Sequence, residues 1–253
     1  MNAVFENELL KKWLTDMQSE ANAYQEPMLE EYTVSMIKIA CNTFRQDFHV
    51  FCISADILEK YIHVKNVRGE KIKDPLLLVC AAIFVTSKYS GGGADLKLPI
   101  IGHFLKKLTG KEYDLHLIML MEQDVLHVLN HMLPVTTQLD DFNVFLENCK
   151  KQYRLKLTIR PLCLEIMQLM YLEKKIWFNK LKQMYKNELK IFHDLMCSKF
   201  FLPEGILIAA FQLTHYQYIL DINGMLQDLM KVTNIHPDHV LALSAVILHL
   251  IRD

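Results

Sequence analysis

The strongest constraint on the fold is a run of apolar residues, Leu76–Val85, that directly follows Asp74-Pro75. An acid before proline is typical of a helix start, because the carboxylate accepts a hydrogen bond from an unpaired backbone N–H and proline fits the first turn. A helix that is apolar on every side is stable only when other elements surround it. We therefore expect residues 76–89 to form a buried central helix, ended by Gly91-Gly92-Gly93.

Residues that form tight turns are scarce, since the 253 residues include only 8 glycines and 7 prolines. A many-stranded barrel or sandwich needs many such turns, so the scarcity favours long helices with few connections. It also argues against glycine-rich phosphate-binding loops, and neither a Walker sequence nor GxGxxG occurs.

Apolar residues spaced three and four apart predict five helices between residues 28 and 133, with the buried helix third in order. A similar series follows, in which Pro203-Glu204 opens a second nearly all-apolar helix. The helices predicted in this half are 137–151, 157–174, 205–218, 222–232 and 237–251, with an irregular, basic and partly helical stretch at 176–200.

The two apolar helices match at an offset of 128 residues, which indicates one unit used twice. The matching residues are Pro75, Ala81, Ala82 and Thr86 in the first helix and Pro203, Ala209, Ala210 and Thr214 in the second. We expect an all-α fold with an N-terminal helix at 1–27, a first five-helix unit at 28–136 and a second, divergent unit at 137–253. The amphipathic stretch around Trp13 either packs on the first unit or contacts a partner.

One charged residue falls on an apolar stripe of the helix predicted at 114–132. The stripe comprises Ile118, Met121, Val125, Leu129 and Met132. At about 100° per residue, Glu122 lies about 40° from Ile118, where an ionised carboxylate needs a partner. Lys88, at the end of the buried helix, is the candidate partner. The spacing alone slightly favours a structural ion pair, or a surface pair whose charged ends reach solvent, over a binding role.

No catalytic, cofactor or metal site can be assembled from the sequence, so we expect a protein that is not an enzyme. Six scattered cysteines without CxxC are expected to be free thiols of a reducing compartment. The pair His236-x-x-His239 lacks the further ligands that zinc needs, and no nucleophile elbow surrounds a serine. The N-terminus does not resemble a signal peptide, and no apolar stretch has the length of a membrane span.

Charge is unevenly distributed, because residues 150–199 hold twelve Lys or Arg and four acids in a chain of net charge −1. A basic surface at Lys174, Lys175, Lys180, Lys182 and Lys186 is therefore expected. Aromatic residues alternate with these lysines, a pattern that nucleic acid or a phosphorylated partner can use. A solvated face over buried aromatic anchors is the favoured interpretation, so direct nucleic-acid binding is not expected.

Three segments resemble the cyclin family. Leu78–Tyr89 is similar to the third helix of a cyclin box, which ends Ala-Ser-Lys-Tyr/Phe, Met121–Leu129 to the fifth-helix pattern, and Asp56–Ile62 to the second helix. The resemblance covers residues 28–146 well and 147–251 more loosely. It implies two tandem cyclin boxes, the first of which binds a cyclin-dependent kinase.

In the family, the lysine that ends the third helix and the glutamate that opens the fifth-helix motif contact the kinase. The resemblance therefore gives Lys88 and Glu122, with their neighbours Tyr89 and Gln123, as partner-binding residues. Tyr216 stands where the second unit would need a lysine, so only the first box is expected to bind in this way.

The chain also departs from the family pattern. Glu59-Lys60 replaces the usual Asp-Arg, Glu30-Glu31 stands where an arginine precedes the first helix, and Met36 replaces the tryptophan of the substrate-docking patch. Short stretches, including Leu133–Thr137 and Met170–Glu173, are most similar to a subgroup of cyclin N-terminal domain-containing proteins associated with meiotic crossover maturation. These similarities imply a regulatory subunit with a kinase and other meiotic recombination proteins as partners, and the expected location is the nucleus, with the cytoplasm left open. The alternative is a kinase-independent cyclin-fold scaffold in a recombination or transcription assembly.

Overall fold

The chain is described by a computed structural model, and its regular elements are helices. The residues described are 12–13, 15–17, 24–90, 96–134, 136–153, 155, 158–214 and 221–252. Within them every regular element is an α-helix, which confirms the predicted all-α class. The chain divides into two compact units, Pro27–Thr137 and the combination of Met1–Glu26 with Gln138–Asp253. Gly91-Gly92-Gly93 and Tyr216, which carried expectations above, lie outside the described residues.

Twelve helices have both ends among the described residues, and five of them form the unit Pro27–Thr137. They are α1 (Glu31–Thr43), α2 (Phe48–Val67), α3 (Pro75–Ser90), α4 (Leu98–Thr109) and α5 (Leu115–Val128). Asp47, Asp74 and Asp114 each accept a backbone N–H in the first turn of α2, α3 and α5. Gly110 ends α4 in the left-handed conformation, with φ of 71°. Local sequence signals thus fix where these helices begin and end.

Helix α3 is the centre of this unit. Every residue from Leu77 to Thr86 is buried, and α3 contacts each of α1, α2, α4 and α5. The polar side chain at its buried end is satisfied, because the Thr86 hydroxyl bonds the Ala82 carbonyl and Ser54 Oγ. The expectation drawn from the apolar run is confirmed.

The other unit repeats this arrangement and adds two helices. Its helices are α6 (Gln138–Tyr153), α7 (Ile159–Leu172), α8 (Lys174–Met184), α9 (Leu189–Cys197), α10 (Phe201–Gln212), α11 (Ile222–Thr233) and α12 (Pro237–Arg252). Helix α10 is buried from Phe201 to Phe211 and contacts α6, α7 and α12. These contacts correspond to those of α3 with α1, α2 and α5.

Helices α8 and α9 occupy the stretch 176–200, which was expected to be irregular and partly helical and is more regularly helical than expected. The difference arises because Lys-rich sequence has good helix propensity and the apolar residues fall on one face. Trp177, Phe178 and Leu181 of α8 are buried, and the Trp177 indole N–H donates to the Met170 carbonyl at 2.8 Å. Of α9, Phe192 and Leu195 are buried.

Part of the predicted N-terminal helix is described, and residues 12–13 and 15–17 are helical. Tyr24 and Glu26, which follow this stretch, contact Phe178 and Lys182 of α8. Whether the stretch around Trp13 packs on the first unit or contacts a partner stays a prediction.

No single helix of the described residues is long and apolar enough to cross a membrane, although α11 and α12 together, bent by 114° at their break, meet the length and composition test.

Candidate functional site

The two charged residues singled out in the sequence meet at the surface of the first unit. Lys88 lies in the last turn of α3 and Glu122 in the middle of α5, and Lys88 Nζ is 2.7 Å from Glu122 Oε1. The Glu122 side chain is 15% exposed and that of Lys88 52%. The carboxylate therefore lies partly within the helix packing, while the ammonium faces solvent.

Two further interactions hold the ammonium in place. Lys88 Nζ lies 3.7 Å from the centroid of the Phe84 ring, one turn earlier in α3 and itself buried. A cation over an aromatic face is attracted by the ring electrons, and a cation at a helix C-terminus is favoured by the helix dipole. Contacts within the first unit thus hold the Lys88 ammonium in position at the end of the buried helix α3.

Apolar side chains surround the ion pair. Leu115 and Met119 precede Glu122 by seven and three residues, so they lie on the same side of α5. They are 39% and 41% exposed. Tyr89 is half-exposed and Gln123 is exposed, so both are accessible beside the pair. An apolar surface with an embedded charge pair is typical of a protein-binding site.

The sequence did not single out Leu115 and Met119, and it misplaced Met132. Met132 was expected on the buried stripe but is 71% exposed. The reason is that α5 ends at Val128 and Asn130 and His131 adopt positive φ, which turns the chain away. Ile118 and Val125 are buried as predicted.

The opposite side of α5 is anchored to α2. The Tyr61 hydroxyl donates to Asp124 at 2.5 Å, and Lys65 Nζ lies 3.4 Å from the same carboxylate. Burial and the bond to Asp124 raise the pKa of the Tyr61 hydroxyl, so it stays protonated and donates. These bonds fix the rotation of α5 and with it the direction in which Glu122 faces.

The departures from the cyclin pattern have structural roles of their own. Glu59 is buried and accepts the backbone N–H of Met28, so it holds the extended chain that leads into α1. Glu30 stands at the N-cap position of α1, where its backbone carbonyl accepts the N–H of Thr33 and Val34, and Glu31 lies in the first turn, where acids are stabilised by the helix dipole. Met36 is half-buried on α1.

The predicted basic surface is spread over several environments. Lys182 Nζ binds Glu26 Oε1 at 2.5 Å, and Lys180 Nζ lies 3.3 Å from His249 Nδ1. Lys174 and Lys175 also have interaction partners, and Lys186 is exposed beyond the end of α8. The aromatic residues among these lysines are largely buried, as in the favoured interpretation.

Several thiols and histidines of the described residues lie beside other side chains, and Cys197 Sγ is 3.8 Å from His193 Nδ1. No group of three His, Cys, Asp or Glu there is placed to hold a metal ion. His239 Nδ1 lies 2.7 Å from the Tyr185 hydroxyl, so this ring nitrogen is already hydrogen-bonded. All six cysteines are free, as predicted, and burial raises the pKa of Cys41 and Cys80 to about 12, so these thiols stay protonated.

Comparison with known families agrees with the geometry of the first unit. The family model described as Cyclin, N-terminal domain, matches residues 4–134, which include α1 to α5 and make up half of the chain. A search of curated proteins found no match.

Proposed function

The chain belongs to the cyclin family, and from this premise we propose that its first unit binds a cyclin-dependent kinase through the surface of Lys88, Tyr89, Glu122 and Gln123. The main support for the proposal is the Lys88–Glu122 pair, whose charged atoms are 2.7 Å apart. The pair joins α3 and α5, which correspond to the two helices through which members of the family contact the kinase. Its surroundings, Leu115 and Met119, offer the apolar area that a partner helix would cover.

The physical roles of the two components differ. Burial of apolar side chains supplies most of the affinity in a helix-in-groove contact. The charges orient the partner, because Lys88 can bind a backbone carbonyl and Glu122 a backbone N–H or a basic side chain. Because the two charges are already paired with each other, placing them near apolar neighbours has a small free-energy cost in the protein without a partner.

Binding of this kind shifts the conformational equilibrium of the kinase toward its active conformation. A cyclin subunit that contacts the regulatory helix of a kinase favours the conformation in which the lysine–glutamate pair of that kinase is formed. The role proposed for this chain is therefore regulatory. The setting we propose is the nucleus during meiotic crossover maturation, on the support of the subgroup similarity at Leu133–Thr137 and Met170–Glu173.

Complex formation with a panel of purified cyclin-dependent kinases tests the proposal, measured by analytical size-exclusion chromatography. We expect at least one kinase to co-elute with the full chain, and the double variant Lys88→Ala with Glu122→Ala to elute apart from it. Failure of every kinase to co-elute, or unchanged co-elution of the double variant, contradicts the proposal.

A kinase-independent scaffold is the second candidate, favoured by one observation. Helices α8 and α9 are additional to the repeated five-helix arrangement and expose lysines and apolar side chains on the second unit. Tagged chain purified from meiotic cells would then carry recombination or transcription proteins without a kinase, and the Lys88→Ala, Glu122→Ala variant would retain them.

A further inference from the structure

We propose that helices α8 and α9 form a binding site for a short, extended partner segment in which an aromatic residue precedes an acidic residue by two positions. The site, here the aromatic notch, is formed by Phe178, Lys182, Phe192 and His193. In the structure the chain's own Tyr24 and Glu26 occupy the notch. The inference is independent of kinase binding, since it concerns the other unit.

Aromatic rings form one half of the notch. Phe178 and Phe192 are buried and pack edge to face, with centroids 5.2 Å apart. The ring of Tyr24 lies 6.2 Å from Phe178, 6.3 Å from Phe192 and 4.6 Å from His193. Three rings therefore contact a fourth, an arrangement that selects a flat aromatic side chain.

A lysine forms the other half. Lys182 Nζ is 2.5 Å from Glu26 Oε1, and this bond raises the pKa of Lys182. Residues 24–30 are not helical, and in an extended segment residues two apart face the same side. The ring and the carboxylate are thus presented together by local backbone geometry, and any extended segment of this pattern would present them in the same way.

The intramolecular contact is suited to exchange. Lys182 and Glu26 are 41% and 56% exposed, and an exposed ion pair contributes little to stability. Contacts of this kind open locally far more often than the core. A partner segment that contacts more of the surface can therefore displace residues 24–26.

The surroundings define the partner as an acidic protein segment. Lys186 and Lys190, which follow Lys182 along the chain, are exposed. Lys190, Leu189 and Ile191 are exposed on α9, so charge and apolar area continue beyond the notch. Nucleic acid is the less suitable partner, because the phenylalanine rings are buried and offer no free face on which a base can stack.

A peptide of residues 24–29 (YQEPML), labelled with fluorescein, tests the site by fluorescence anisotropy with the full chain. We expect it to bind the variant Tyr24→Ala with Glu26→Ala, whose notch is vacated, at least tenfold more tightly than the wild type, where the tethered segment competes. Absence of binding to the vacated variant, with its melting transition intact, overturns the proposal.

Charge reversal identifies the notch and does not require a vacated variant. In the variant Lys182→Glu, the new carboxylate repels the chain's own Glu26. We expect this variant to bind a second peptide, in which lysine replaces the glutamate, at least tenfold more tightly than it binds the original peptide. Lys107→Glu, an exposed lysine of the other unit, is the matched control and should leave binding as in the wild type. Equal binding of both peptides by Lys182→Glu, or displacement of the peptide by a single-stranded oligonucleotide in 150 mM salt, contradicts the proposal.

Discussion

At the residue scale, sequence reasoning located Lys88 and Glu122 because a carboxylate on an apolar stripe conflicts with a plain core. The same reasoning passed over Glu204, which opens α10 and is 1% exposed. A glutamate in the first turn of a helix is ordinarily a favourable surface residue, so nothing local revealed its burial. Only the packing of α10 inside the unit shows that it is a buried acid. Similarly, the exposure of Leu115 and Met119 depends on which neighbours α5 has.

Glu204 makes stability depend on pH. Neither carboxylate oxygen has a hydrogen-bond partner of good geometry among the described residues. Burial, partly opposed by the Thr233 hydroxyl, raises the pKa of Glu204 to about 8, and the thiol of Cys149 is nearby. The folded protein therefore keeps the proton at a pH where the unfolded chain has lost it. Its contribution to stability falls as pH rises from about 5 to about 8, by about 1.4 kcal/mol per unit.

Urea unfolding of wild type and Glu204→Gln at pH 5, 6.5 and 8 measures this effect. The free-energy difference between the two proteins should grow in favour of the variant with rising pH, because glutamine does not ionise. A difference that stays constant across the range would mean that Glu204 does not titrate in this way.

Lys88 contributes little to folding, in contrast to its proposed role in binding. Its ammonium is half-exposed, and exposed ion pairs contribute about 0.2–1 kcal/mol. We expect Lys88→Ala to lower the free energy of unfolding by less than about 1 kcal/mol in urea denaturation. A loss of several kcal/mol would show that the pair is a structural element, and any loss of binding would then have another cause.

At the scale of elements, α3 and α10 could be predicted from the sequence, because a helix that is buried on all sides has an uninterrupted run of apolar residues. For α8 and α9 the sequence predicted only partly helical structure, because their lysines mask a narrow apolar face. The end of α5 was also missed, since positive φ at Asn130 and His131 is not encoded by glycine. Helix interiors were thus predictable from composition, whereas helix ends and inserted helices depended on tertiary contacts.

The packing of α10 against α12 depends on Gly205. A Cβ at this position would lie 2.4 Å from Leu243 Cδ2, and Leu243 is completely buried. We expect Gly205→Ala to reduce the free energy of unfolding by about 1–3 kcal/mol through overpacking. Urea unfolding provides the measurement, and adding Leu243→Ala should relieve the clash although it removes buried area.

Gly102→Ala in α4 is the matched control. A Cβ there would lie 3.2 Å from the end of the half-exposed Leu115 side chain, which can move. Its effect should be near zero or stabilising, because alanine favours helix over glycine. If both substitutions lowered the free energy of unfolding equally, the close packing of α10 against α12 at Gly205 would not explain the loss.

At the scale of the whole molecule, the scarcity of glycine and proline predicted a helical chain, and the offset repeat predicted that a buried helix recurs. The sequence does not show which of the charged side chains are paired within the chain and which are free at the surface. The segment 150–199 is strongly basic within a chain of net charge −1, yet Lys180 and Lys182 bind groups of the chain itself. Local charge in the sequence therefore overstates the free charge at the surface.

This distribution predicts that the chain has no DNA-binding site and shows only non-specific attraction to DNA at low salt. For a duplex of about 20 base pairs, fluorescence anisotropy should show no binding at 150 mM salt, and any weak signal at 20 mM should vanish as salt is added, because it rests on counterion release alone. Binding that persists at 150 mM salt would identify a genuine nucleic-acid site on the second unit.

The most direct test of the central claim compares two lysine–glutamate pairs of the first unit by isothermal titration with a kinase that binds. Lys106 of α4 and Glu112 form an exposed pair at 2.5 Å and serve as the control. Kinase binding through the Lys88–Glu122 surface predicts at least a tenfold rise in Kd for Lys88→Ala with Glu122→Ala and none for Lys106→Ala with Glu112→Ala. The same Kd for both double variants would contradict it.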